Sequence, residues 1–211
     1  MISYMPSRYF FQRLILIVVF LLTAMPVVAQ HDHGGDAETV GDDLPESFSE
    51  PIPLYPTVIG EHTHDISSSH AEAKAYFRQG FQLMYAFAKE EATRSFREAW
   101  KRDPDCAICY WGEAWSWGSY LNGPMRPFEA PHAYAAMKEA VARLDHANGK
   151  EQAYIEAIQS RYVENFDPET RRDQDEAYAD AMQQLAETYP DDLDAVTLYA
   201  DALFLLEPRR G

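Results

Sequence analysis

Small and apolar residues recur at helical spacing between residues 71 and 104. Tyr76, Gly80 and Leu83 mark one face, and Ala92, Phe96 and Ala99 mark another, with charged residues on the opposite sides. Spacings of three and four place such residues on one stripe of an α-helix. The pattern predicts two helices packed against each other. Gly80 is small enough for the second helix to cross closely, Ala92 fills the facing position, and Tyr76, Leu83, Phe96 and Ala99 form the seam. Pro104 has no amide proton and ends the second helix.

The pattern repeats. A shift of 34 residues carries Tyr76 onto Tyr110, Gly80 onto Ala114 and Leu83 onto Trp117. A second unit therefore begins near Cys106. Its partner helix is delayed by the loop Leu121-Asn122-Gly123-Pro124-Met125-Arg126-Pro127 and resumes at Ala133, Met137 and Ala140. A looser third hairpin has a first helix from about Lys150 to Val163 and a second carrying Tyr178, Met182 and Leu185 before Pro190. Val196, Tyr199, Ala200 and Leu203 then predict a fourth first helix. Its partner does not appear before Gly211.

These residue types at this period resemble the tetratricopeptide-repeat (TPR) family over roughly residues 69–206. The run AEAKAYFRQGFQLMYAFAKEEATRSFREAWKRDPDCAICYWGEAW resembles a group of predicted exported bacterial TPR proteins. Members of that group are generally longer, which implies an N-terminal fragment. The resemblance implies an all-α solenoid of about three and a half helical hairpins and a binding role. The expected units are repeat one at 73–106, repeat two at 107–148, the third hairpin at 149–190 and the fourth first helix at 193–206. In stacked hairpins of this kind the first helices line the concave side. That frame puts Lys74, Phe77, Arg78, Phe81, Met84 and Tyr85 in the groove, then Ile108, Trp111, Gly112, Trp115 and Gly118, then Thr197, Leu198, Asp201 and Phe204. Large aromatics beside an arginine are the composition of a binding hot spot. The expected partner site is therefore Phe77, Arg78, Phe81, Tyr85, Trp111 and Trp115. The competing reading is that the N-terminal segment or further repeats cover this stripe as core.

The N-terminus reads differently. Arg8 and Arg13 precede the apolar run Leu14–Leu22, and Pro26-Val27-Val28-Ala29 suits signal cleavage, so residues 1–29 read as a signal peptide. The alternative is an uncleaved anchor, the only membrane association expected. Export implies a periplasmic or secreted protein. Residues 30–61 are rich in Gly, Pro, Ser and acids without apolar periodicity and read as a disordered linker. The domain is then residues 62–211.

Charge narrows the partner. The net charge is −16, and removing a leader with two arginines and no acid leaves −18. That disfavours nucleic acid and anionic lipid and leaves a protein or peptide. No G-x-S-x-G, H-E-x-x-H, phosphate-binding glycine loop or dinucleotide fingerprint is present. With a repeat fold, this predicts a non-enzymatic protein with no cofactor. Cys106 and Cys109 are the only cysteines. Haem attachment would need His where Tyr110 stands. A local disulfide or two packed thiols is expected, with redox exchange or metal ligation as alternatives. His31-Asp32-His33 and His62-Thr63-His64-Asp65 bring imidazoles and carboxylates together, a set suited to Zn²⁺, Cu²⁺ or Ni²⁺. His31, His33, His62 and His64 are thus candidate metal ligands, against a reading as solvated linker residues. His132 and His146 are expected to be local capping or surface residues.

Overall fold

The ring of Phe96 organises the first three helices: α1 (Ala71–Tyr85), α2 (Lys89–Arg102) and α3 (Ala107–Trp117). It is fully buried and lies against two backbones at once. A Cβ built on Gly80 of α1 would stand 2.9 Å from its Cε1, and one on Gly112 of α3 would stand 2.4 Å from its Cδ1. Glycine is what lets both helices approach one ring. Gly80 acts as expected. Gly112, which the repeat frame assigned to the groove, instead faces α2.

In the computed structural model, which describes residues 44–56, 60–121 and 123–207, the fold is all-α. Four further helices follow: α4 (Glu129–Val141), α5 (Gly149–Gln159), α6 (Arg172–Thr188) and α7 (Leu193–Leu206). Among the described residues there is no strand, and no helix is long and apolar enough to cross a membrane. Each helix from α2 to α7 packs on the one before it. Helix α3 also touches α1 and α5, so alternate helices adjoin through the middle of the domain. The residues read as a signal peptide, together with His31, His33 and Asn122, lie outside the described residues.

Local chemistry sets the boundaries. The turn after α1 closes with Ala88 N donating to Leu83 O at 2.9 Å and Phe87 N to Met84 O at 3.0 Å. This pattern needs a left-handed residue, and Phe87 supplies it at φ 61°. Asn148 and Glu151 form a reciprocal capping box at the start of α5, and Asp192 caps α7. Helix α5 ends at Gln159, short of the expected Val163. There the chain turns so that Tyr162 can donate to Ala114 O at 2.7 Å and buried Arg161 can lie over Tyr178. On α7 the expected core positions Val196 and Leu203 are exposed, while Ala195, Leu198 and Ala202 face inward.

The linker expectation is corrected over residues 44–56 and 60–61, which are packed onto the helices. Phe48 stacks on Trp117 with ring centres 5.3 Å apart, and Ile52 is buried. Two glutamines of α1 hold the backbone. Gln79 accepts from Tyr55 N at 2.8 Å and donates to Pro53 O at 3.1 Å. Gln82 donates to the carbonyls of Gly60 and His62 at 2.9 and 2.7 Å. A segment held mainly through its own carbonyls needs no apolar periodicity.

Candidate functional site

The expected groove aromatics come together, but not as an open surface. Phe81 touches Phe77, Trp111 and Trp115, and Trp111 stacks on Trp115 with ring centres 5.4 Å apart. Phe77, Phe81, Trp111 and Trp115 are all buried. This corrects their assignment to an exposed partner site. Their cover is the N-terminal segment. The His64 ring lies parallel to Phe81 at 4.7 Å and edge-on to Tyr154 at 5.5 Å. His62 sits beside Tyr85 at 5.5 Å. Tyr85 and Arg78 remain partly exposed.

The cover is fastened at several points. Ser67 donates its amide and hydroxyl to Glu151 at 2.6 and 2.5 Å. Ser68 donates to Asp103 at 2.5 Å. At the other end, two histidines meet one carboxylate from the first turn of α7. His64 Nδ1 is 2.7 Å from Asp194 Oδ2, and His62 Nε2 is 2.9 Å from Asp194 Oδ1. The Tyr85 hydroxyl donates to Asp194 Oδ1 at 2.8 Å. Burial pushes the Asp194 carboxyl up, but the hydrogen bonds from His64 and Tyr85 and the charges of His64 and His62 outweigh it and hold it below the usual range. Burial, then the Asp194 charge and hydrogen bond, push the Tyr85 phenol far upward. Asp192 lies alongside, with Lys150 Nζ 2.8 Å from its Oδ2.

Sequence reasoning missed Asp192, Asp194 and Tyr154. The available signal was Asp192-Leu193-Asp194 at a predicted helix start, the same alternation as His62-Thr63-His64. Nothing local pairs the two motifs across 130 residues.

Next to this closed stripe the same face stays open. Met84, Tyr85, Phe87, Trp115, Leu121, Leu198 and Phe204 wall a mostly apolar recess of about 360 Å³, with Thr197 and Asp201 at its edge. Thus Met84, Tyr85, Trp115, Thr197, Leu198, Asp201 and Phe204, all expected in the groove, line one cavity. Phe87, Leu121 and Phe204 are well exposed at its mouth. A second recess of about 390 Å³ lies by Phe48, Lys89 and Glu129. Burial lowers the Lys89 pKa, but its ammonium is engaged by Glu129 at 2.8 Å and by Trp117 O at 3.0 Å. It therefore offers no free nucleophile.

Cys106 and Cys109 form a disulfide across the first turn of α3. No family model matches this chain, and neither the curated proteins nor the solved structures give a match.

Proposed function

We propose that the chain is a non-catalytic interaction module of TPR-like hairpins, exported from the cell, that holds a protein or peptide segment on its concave face. The observation that carries this reading is that the aromatic stripe of α1 and α3 already holds a non-helical peptide, the chain's own residues 60–68. It does so as a peptide groove would: Gln82 takes backbone carbonyls, Glu151 takes a backbone amide, and aromatics take the side chains. The neighbouring recess extends the same face and suits one large apolar side chain of a partner. Phe87 supports this. It is bulky, half exposed and held in a left-handed conformation that favours glycine, which is the kind of local strain found at binding sites. The Cys106–Cys109 disulfide suits an oxidising compartment.

The test is selection of a random displayed peptide library on the folded chain, followed by affinity measurement of the enriched peptides. Peptides with an aromatic or large aliphatic anchor are expected. Phe204→Asp should weaken them at least about tenfold, as loss of a hot-spot contact does. Phe87→Gly should also weaken binding while raising thermal stability. Failure to enrich any peptide, or equal binding to both variants, would overturn the reading.

A further inference from the structure

The histidine–aspartate cluster over the aromatic stripe has more ligating capacity than a latch requires. His64, Asp192 and Asp194 each offer an atom within 4.8 Å of the others. Ligand atoms on a tetrahedral Zn²⁺ with bonds of about 2.0–2.2 Å stand about 3.3–3.6 Å apart, so side-chain shifts of up to about 1.5 Å complete the set. The His64–Asp194 and His62–Asp194 separations, 2.7 and 2.9 Å, are hydrogen-bond distances that open to roughly 3.3 Å on a common ion. A second observation is independent of the acids. His64 is 6% exposed, and its Nε2 is buried with no hydrogen-bond partner among the described residues. Buried polar atoms are normally satisfied, and an exception asks for an explanation such as an ion.

We propose that His64, Asp192 and Asp194, with His62 at the exposed edge, bind a divalent first-row transition cation of the Zn²⁺ class and so clamp residues 62–64 to α7. The donor set selects the class. Imidazole with carboxylate suits Zn²⁺, Cu²⁺ or Ni²⁺, whereas Ca²⁺ wants six to eight oxygens. The thiols that would favour softer ions are tied up in the disulfide. His64 offers Nδ1, now held by Asp194, or the unpartnered Nε2. Lys150 competes: its ammonium occupies Asp192 and must swing aside, which its long, partly exposed side chain permits. The cation therefore exchanges with a lysine charge. This inference is separate from peptide binding and stands or falls by its own test.

The probe is Zn²⁺ itself, added to the full chain carrying His31→Ala and His33→Ala so that the N-terminal histidines do not contribute. Competition with a chromophoric chelator reads affinity and stoichiometry, and thermal melting reads whether the ion joins two parts of the fold. One equivalent is expected, with a melting temperature that rises with Zn²⁺. Asp194→Asn and His64→Gln should each weaken binding at least tenfold and abolish the rise, whereas Lys150→Met should tighten binding several-fold. Absence of stoichiometric binding, a melting temperature that ignores Zn²⁺, or equal affinity in Asp194→Asn would overturn the proposal. Should the Asp194 and His64 variants lose their helical signal, Lys150→Met decides, and an unchanged affinity there overturns it too.

Discussion

Gly112→Ala should destabilise the domain even though it removes a glycine from a helix. The new Cβ would lie 2.4, 2.6 and 2.8 Å from Cδ1, Cε1 and Cγ of Phe96. Ordinary carbon contacts are about 3.5–4.0 Å, so the ring or the helix must retreat by about 1 Å. The ring has nowhere to go. It is fully buried, Gly80 touches it from α1, and the Phe77 and Trp115 rings stand 5.3 and 6.3 Å away. Overpacking costs about 1–3 kcal/mol, and a 2.4 Å approach to an immobile ring belongs at the upper end, about 2–3 kcal/mol. Alanine's better helix propensity returns about 1 kcal/mol. The net loss expected is roughly 1–2 kcal/mol, read as a fall of about 2–8 °C in melting temperature for a domain of this size. Urea unfolding followed by circular dichroism and tryptophan fluorescence measures it. Gly80→Ala, whose Cβ would stand 2.9–3.0 Å from the same ring, should cost less. Gly149→Ala, with its nearest neighbour at 3.9 Å, should change little. The decisive control is Phe96→Leu, which makes room. Combined with Gly112→Ala it should lose less than the sum of the two single changes, with a coupling of about 1–3 kcal/mol. A Gly112→Ala protein as stable as the wild type, or strict additivity with Phe96→Leu, would refute the packing argument.

Three further outcomes are expected. Burial raises the pKa of Glu113 above its ordinary 4.5 despite Arg97 and the hydrogen bonds from Trp100 and Trp117, so its contribution to stability is complete below that value and is lost as pH rises through the raised folded value; the stability difference between wild type and Glu113→Gln should fall across that window, and a flat difference would count against it. Glu151→Ala removes the acceptor of the Ser67 and Asn148 amides, part-buried bonds worth about 0.5–1.5 kcal/mol each; hydrogen exchange should show residues 62–67 losing protection, and unchanged exchange would mean that the segment is held elsewhere. Replacing Cys106 and Cys109 by serine opens a ring of only four residues, so the loss should be near 2 kcal/mol by chain entropy, and a protein that no longer folds would show that the bridge does more.

The helices are legible in local spacing alone. Gly80, Ala92, Phe96 and Ala99 announce a close helix pair because their spacing is local and their sizes fit only one kind of contact. Asn148 with Glu151 starts a helix for the same local reason. The repeat frame that the resemblance implies also marked Met84, Trp115, Leu198 and Phe204, which line the recess. What the sequence did not determine was what lies over the aromatic stripe. Phe77, Phe81, Trp111 and Trp115 carry the same pattern whether a partner or the chain itself covers them, because apolar burial is non-directional and does not specify its other half. The cover is residues 60–68, held by Gln82, Glu151 and a carboxylate 130 residues away from His64. Those contacts run through backbone carbonyls and single polar atoms, which leave no periodic trace. Only the tertiary structure brings His62 and His64 to Asp194, because that pairing depends on α7 reaching the ends of α1 and α3 and on no property of either segment alone.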